Sequence, residues 1–305
     1  MRFTPTTEQT GFARSLDDLL TRSDTVAANR AWARGEHGPG LGLWKRLADL
    51  GVTSLATEAT PVEVRIAFEA LGRHAVPGPW VESAAYLPVA LPDVDLTDTI
   101  ATVAVLPHVP YALDADVADT VYVVTGGALS TATAGAPVTS VDPSRRLVEV
   151  VAGDPVDHGD LDRAFDLAAF ATAAQLLGAG ERVLADSVAY VSQRTQFGRT
   201  IGSYQAIKHQ LADVRVALDF ARPLLDGAGV ELTPRSVSAA AIQCADAARL
   251  AARVGLQVHG AIGYTQEYDL SRWLLRIRAL QSAWGTPAWH RERLLADLLA
   301  ERAAR

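Results

Sequence analysis

Two short segments carry residue types whose spacing suits chemistry on a phosphate-bearing ligand. The first is Arg194-Thr195-Gln196-Phe197-Gly198-Arg199, followed by Ile201, Gly202 and Gln205. An arginine at the end of a long helical pattern, beside a glycine turn, presents a forked cation that matches a pyrophosphate. Phe197 beside it can pack on a flat aromatic ring. The same residues also read as a plain helix end: arginine favoured by the dipole, a phenylalanine plug and a glycine cap. The second segment is Gln257-Val258-His259-Gly260-Ala261-Ile262-Gly263-Tyr264, with Glu267, Tyr268 and Arg272 after it. Glycines at 260 and 263 allow a close backbone approach to a ligand, and equally a turn between helices. His259 alone fits a hydrogen-bonded structural histidine as well as a base.

These segments need elements to hold them. Residues 160–194 contain no proline and predict a helix of about 50 Å, at 1.5 Å per residue. Its apolar positions Leu177, Leu184, Val188 and Val191 recur in three- and four-residue steps. Further helices are expected over 204–221, 235–259, 268–281 and 287–304, together a four-helix-type bundle. Upstream, the pattern predicts helices from Pro5 to about Leu20, over 43–50 up to Gly51, and over Pro61–Arg73, with a Gly/Pro-rich break at 35–42. Pro77, Pro79, Pro88 and Pro92 then interrupt the chain. Runs rich in Val and Thr at 100–106, 120–124 and 147–151 read as strands. The expected fold is α+β and mainly helical: a helical domain over 1–95, a small β domain over 96–155 and a helical bundle over 156–305.

Composition narrows the function classes. The chain has 305 residues, about half of them apolar, and a formal net charge of −7. That balance, with no Lys/Arg run, argues against nucleic acid or an anionic membrane as the main partner. Cys244 is the only cysteine, which excludes an intrachain disulfide and multi-cysteine zinc sites. Residues 1–9 lack an apolar leader and no stretch reaches membrane-spanning length, so a soluble cytoplasmic protein is expected.

Together the two segments resemble the Arg-x-Gln-Phe-Gly and Gln-x-x-Gly-Gly-x-Gly-Tyr-x-x-Glu-Tyr signatures of acyl-CoA dehydrogenases. They stand in the family's order, and the helix–β–helix layout matches over nearly the whole chain. The resemblance implies loops that reach across a dimer interface to FAD held mainly by the neighbouring subunit. Arg194 then corresponds to the residue on the flavin pyrophosphate, Gln196 and Phe197 to those near the adenine end, and Gln257 and Gly260 to the second loop. Ala261 replaces the second glycine of the family's pair.

The departures are as informative. The family's reaction needs a carboxylate to remove the α-proton of the thioester while hydride passes to flavin. Most members carry that Glu just before a Gly-Thr pair, and here the pair is preceded by Trp284, whose indole is no base. A minority carry it on the long helix, 26 residues ahead of the motif arginine, which is Ala168. The resemblance therefore implies no catalytic residue in this chain; Asp162 and Asp166 lie near Ala168 but on another face of the helix, and Asp166 is an example of a displaced base. The β region is about half the family's usual size and lacks its Thr-Glu-Pro and Gly-Ser-Asp stretch. This combination resembles the short subunit of heterotetrameric acyl-CoA dehydrogenases from actinobacterial steroid (cholesterol) catabolism. There a full-length acyl-CoA dehydrogenase partner in an α2β2 complex supplies the Glu. An acyl-CoA substrate and an electron-transferring flavoprotein are the further partners implied. An active homodimer with a displaced base, and a degenerate subunit without redox chemistry, are the alternatives.

Overall fold

A computed structural model describes residues 3–196 and 198–303. Helix α1 (Thr7–Arg22) starts at a capping box, in which Thr6 Oγ1 accepts from Gln9 N–H and Gln9 Oε1 accepts from Thr6 N–H. Helix α2 (Thr25–Ala33) has no counterpart in the sequence reading. It starts on Asp24, whose side chain accepts from Ala27 N–H at 2.9 Å. Helix α3 (Gly38–Asp49) begins inside the Gly/Pro-rich stretch, with Pro39 in its first turn, so only its front part is a break. A one-turn helix α4 (Leu55–Glu58) precedes α5 (Pro61–Arg73), which has the expected bounds. The four prolines beyond it leave only a π-turn at Glu82–Tyr86 and the short α6 (Leu87–Ala90).

Five strands follow among the described residues: β1 (Ala101–Val105), β2 (Ala112–Leu113), β3 (Thr120–Thr125), β4 (Ala128–Val138) and β5 (Leu147–Pro155). Their order in the sheet is β1-β3-β4-β5-β2; β1 and β3 are parallel and the other pairs antiparallel. The sequence reading missed β4, the longest strand. Between Leu129 and Val138 its residues are Ala, Ser and Thr with Gly135 and Pro137, and it is mostly exposed, so it lacks the Val-rich signature of a buried strand. The Gly126-Gly127 pair before it, both at positive φ, is the hairpin signal that marks it.

Helix α7 (Leu161–Gln193) is the axis of the molecule, capped by Asp160 and buried almost without interruption from Ala164 to Gly180. It crosses α5 at backbone distance: a Cβ at Gly178 would lie 2.0 Å from Glu69 O. Helix α8 (Gln205–Glu231) runs past its expected end through Pro223. Leu225, Ala228 and Gly229 stay buried beyond it, and that packing outweighs the one backbone bond proline removes. Helices α9 (Pro234–His259), α10 (Leu270–Leu280) and α11 (Pro287–Ala303) complete the bundle, and one hydrophobic cluster joins helices and sheet. The mainly helical α+β fold expected from the sequence, with a small sheet between two helical parts, holds. No helix among the described residues is long and apolar enough to cross a membrane.

Candidate cofactor-contact site

Helices α7 and α9 run parallel because α8 returns the chain between them, so their C-terminal ends meet. The meeting point is a ring stack. His259, the last residue of α9, lies on Tyr190, in the final turn of α7, at 4.3 Å between ring centres and 25° between planes. Tyr268 closes on His259 at 5.3 Å. His259 Nδ1–H donates to Gly255 O at 2.7 Å, the acceptor fixing the tautomer. Burial, the largest cause, holds its pKa below the ordinary histidine value, so the ring is neutral at pH 7. These contacts make His259 a packing element.

Arg194 lies one residue past α7, its N–H bonded to Tyr190 O. From there the chain folds into a hairpin, with β6 (Thr195–Gln196) paired to β7 (Arg199–Thr200) and Gly198 at φ +78°. Arg199 stacks over Tyr204 at 3.8 Å. The Arg194 guanidinium is exposed and has no ion pair or hydrogen bond to the described residues. Gln196 is exposed on the same hairpin. Phe197 lies outside the described residues. Gly260 ends α9 at φ +62° and ψ −139°, a backbone state reserved for glycine. A Cβ there would meet nothing, so its backbone faces open space; at Gly263 it would sit 3.2 Å from Leu256 and His259, so that glycine serves packing. Gln257 is exposed one turn earlier. Arg194, Gln196, Gln257 and Gly260 thus share one end of the bundle, held by Tyr190 and Tyr268. Tyr268 stood with the second segment in the sequence, whereas Tyr190 had no distinctive spacing there. The same end exposes Val188, Ile262 and Tyr264, the last 76% accessible.

The other end of α7 is closed. Trp284 is fully buried at φ +54°, its ring 4.9 Å from Tyr86 and 5.6 Å from Phe165. His290 Nε2–H donates to Trp284 O at 3.1 Å, while Nδ1 accepts from Ser238 Oγ at 3.2 Å. Burial, opposed by the Trp284 bond, lowers the His290 pKa to about 4. The cavity beside Trp284 measures about 10 Å³, room for one water at most. Ala168 is buried. Asp166 is ion-paired with Arg293, and burial raises its pKa against that pairing.

Residues 161–299 match the C-terminal domain model of acyl-CoA dehydrogenases. The chain is 31% identical over 291 residues, 90% of its length and 92% of the relative's, to acyl-CoA dehydrogenase IpdE2 of Mycobacterium tuberculosis. The chain belongs to the acyl-CoA dehydrogenase family. Among solved structures, a chain of the ChsE4–ChsE5 complex from M. tuberculosis superposes with a TM-score of 0.82 over 98% of this chain and 99% of that one, at 21% identity. A variant of the Tcur3481–Tcur3483 steroid acyl-CoA dehydrogenase does so with a TM-score of 0.81 over 98% and 99%, at 20% identity. Both likenesses describe the fold of this acyl-CoA dehydrogenase family member.

Its exposed residues at this end could hold one edge of FAD. An unpartnered, exposed arginine beside an open glycine backbone suits an anionic group approached from outside the subunit.

Proposed function

We propose that this chain is the non-catalytic subunit of a heteromeric, FAD-dependent acyl-CoA dehydrogenase that introduces an α,β double bond into a CoA thioester. Trp284 carries this reading. The position where the family places its catalytic Glu holds an indole, locked between Tyr86 and Phe165 with no room for an acyl chain. Asp166, the displaced alternative, is buried on α7 with its Oδ1 ion-paired to Arg293, so its carboxylate is taken up by a structural partner.

The reading gives the proton abstraction to a full-length partner subunit in an α2β2 assembly. In this family FAD supplies the hydride acceptor. Arg194 would hold its pyrophosphate, with Gln196, Phe197, Gln257 and Gly260 around it. The rigid Tyr190–His259 stack fixes the separation of the two loops, so both meet the cofactor without reordering. The exposed Val188, Ile262 and Tyr264 give the partner an apolar surface to cover. The heteromeric complex and the steroid enzyme among the structural neighbours support the choice of partner and a steroid-derived thioester as substrate class. An electron-transferring flavoprotein is the expected acceptor, and the cytoplasm the expected compartment.

The test is reconstitution. The lone chain should bind no flavin and turn over no acyl-CoA, and co-expression with its partner should give a yellow, active complex. Stoichiometric flavin and turnover in the lone chain would overturn the proposal.

A further inference from the structure

A second cleft opens between the sheet and the end of α10. It has a volume of about 300 Å³ and is lined by the loop from His108 to Tyr111, by Ser140 and Arg145 ahead of β5, and by Ala279 and Ser282. Arg145 distinguishes it. Two other inward-facing arginines have carboxylate partners: Arg276 reaches Asp142 at 2.6 Å, and Arg222 reaches Glu69 at 2.9 Å. Arg145, partly buried, has neither an ion pair nor a side-chain hydrogen bond to the described residues. Glu82, Asp142 and Asp114 act on it only at a distance, and the Arg276 guanidinium repels it. Burial pushes the Glu82 and Asp114 carboxyls up, Asp114 to about 7, while Asp142 is taken up by Arg276 at 2.6 Å. A guanidinium stays charged at any ordinary pH. The cleft therefore presents a lasting cation with no carboxylate in contact, beside the apolar surfaces of Val109, Leu147 and Ala279.

We propose that this cleft binds a small organic acid, with its carboxylate on the Arg145 guanidinium and its apolar body against Val109, Tyr111 and Ala279. An arginine fork matches a carboxylate bidentately, and a mostly apolar wall with one convergent charge is the common form of a small-molecule site. The site is independent of the flavin-contact loops. Its edge at His108 packs on Phe165, 29 residues before Arg194 on the same helix, roughly 40 Å away at 1.5 Å per residue.

Titration calorimetry on the full chain, alone and in its complex, tests this with three probes: 3-cyclohexylpropanoate, its neutral methyl amide and inorganic phosphate. The acid should bind saturably with one site per chain, at least tenfold more tightly than the amide or phosphate. Arg145→Gln should weaken the acid at least tenfold and leave the melting temperature of the free chain within a few degrees. Ser282→Trp, at an exposed position on the rim, should block the acid while Arg145 stays in place. Arg194→Ala should leave acid binding unchanged. No saturable binding of the acid, equal binding of acid and amide, or an unaffected Arg145→Gln would each overturn the proposal. If FAD displaces the acid from the lone chain, the cleft is a flavin site and the proposal also fails.

Discussion

The two ends of α7 show opposite treatments of polar chemistry. At its C-terminal end the chain leaves a cation, a glycine backbone and large apolar side chains uncovered around a rigid ring stack. At its N-terminal end it fills the space with Trp284, Tyr86 and Phe165 and ties Asp166 to Arg293. A site that must meet something outside the subunit stays open and preorganised. A space that holds no ligand is closed by the hydrophobic effect, because an unused cavity destabilises the fold. Under the proposed function, the comparison teaches that an acyl-CoA dehydrogenase fold can keep its cofactor-facing loops while its own acyl space becomes core.

Substitutions can break this contrast. Trp284→Ala should cost the most, about 3–5 kcal/mol of unfolding free energy by denaturant titration, as for other buried large aromatics. A loss below about 1 kcal/mol would mean that the ring does not fill the site. The pH dependence should come next. His290 is neutral in the fold, with a pKa lowered to about 4, so the unfolded chain takes up its proton first as pH falls. Stability should therefore be fully present above pH 6.5 and decline toward pH 4. The decline is up to about 3 kcal/mol, from two to three units at about 1.4 kcal/mol each. His290→Gln should flatten that slope, and an unchanged slope would place the titrating group elsewhere.

At the open end, Arg194→Ala should weaken flavin binding by the complex about ten- to a hundred-fold, the loss of a charged hydrogen bond of roughly 1.5–3 kcal/mol. Turnover should return with excess FAD. Unchanged flavin affinity would favour the reading of Arg194 as a helix end only. The smallest effect is expected from Asp166→Asn, which should leave turnover of the complex nearly unchanged. Abolished turnover with flavin still bound would put the base in this chain.

The open end was the more legible in sequence, because its residues are set by backbone demands that leave a mark. Gly260 needs positive φ, Gly198 turns a hairpin, and Arg194 follows the last residue of an uninterrupted helix. Three helices of the bundle were readable for the same reason: α7 starts on Asp160, α9 on Thr233 and Pro234, and α11 on Pro287. What the sequence hid depends on packing between distant segments. Trp284 could be recognised as no base, yet nothing in its neighbours told that Tyr86 and Phe165, from the π-turn and the start of α7, would close around it. Strand β4 was missed because small polar residues on an exposed strand carry no hydrophobic signal. Helix α2 was missed although Trp32, buried and donating to Asp114 at 3.0 Å, ties it to the sheet. The Arg145 cleft was equally silent, since an arginine without a partner looks the same in sequence as one with three.

The most direct measurement is the flavin count of the purified complex. Absorbance after denaturation, set against the amount of each chain, gives the number of flavins per α2β2 assembly. Two flavins are predicted, because this chain contributes an edge contact at each cofactor and holds none of its own. Four tightly bound flavins, or flavin retained by this chain after separation from its partner, would contradict the account.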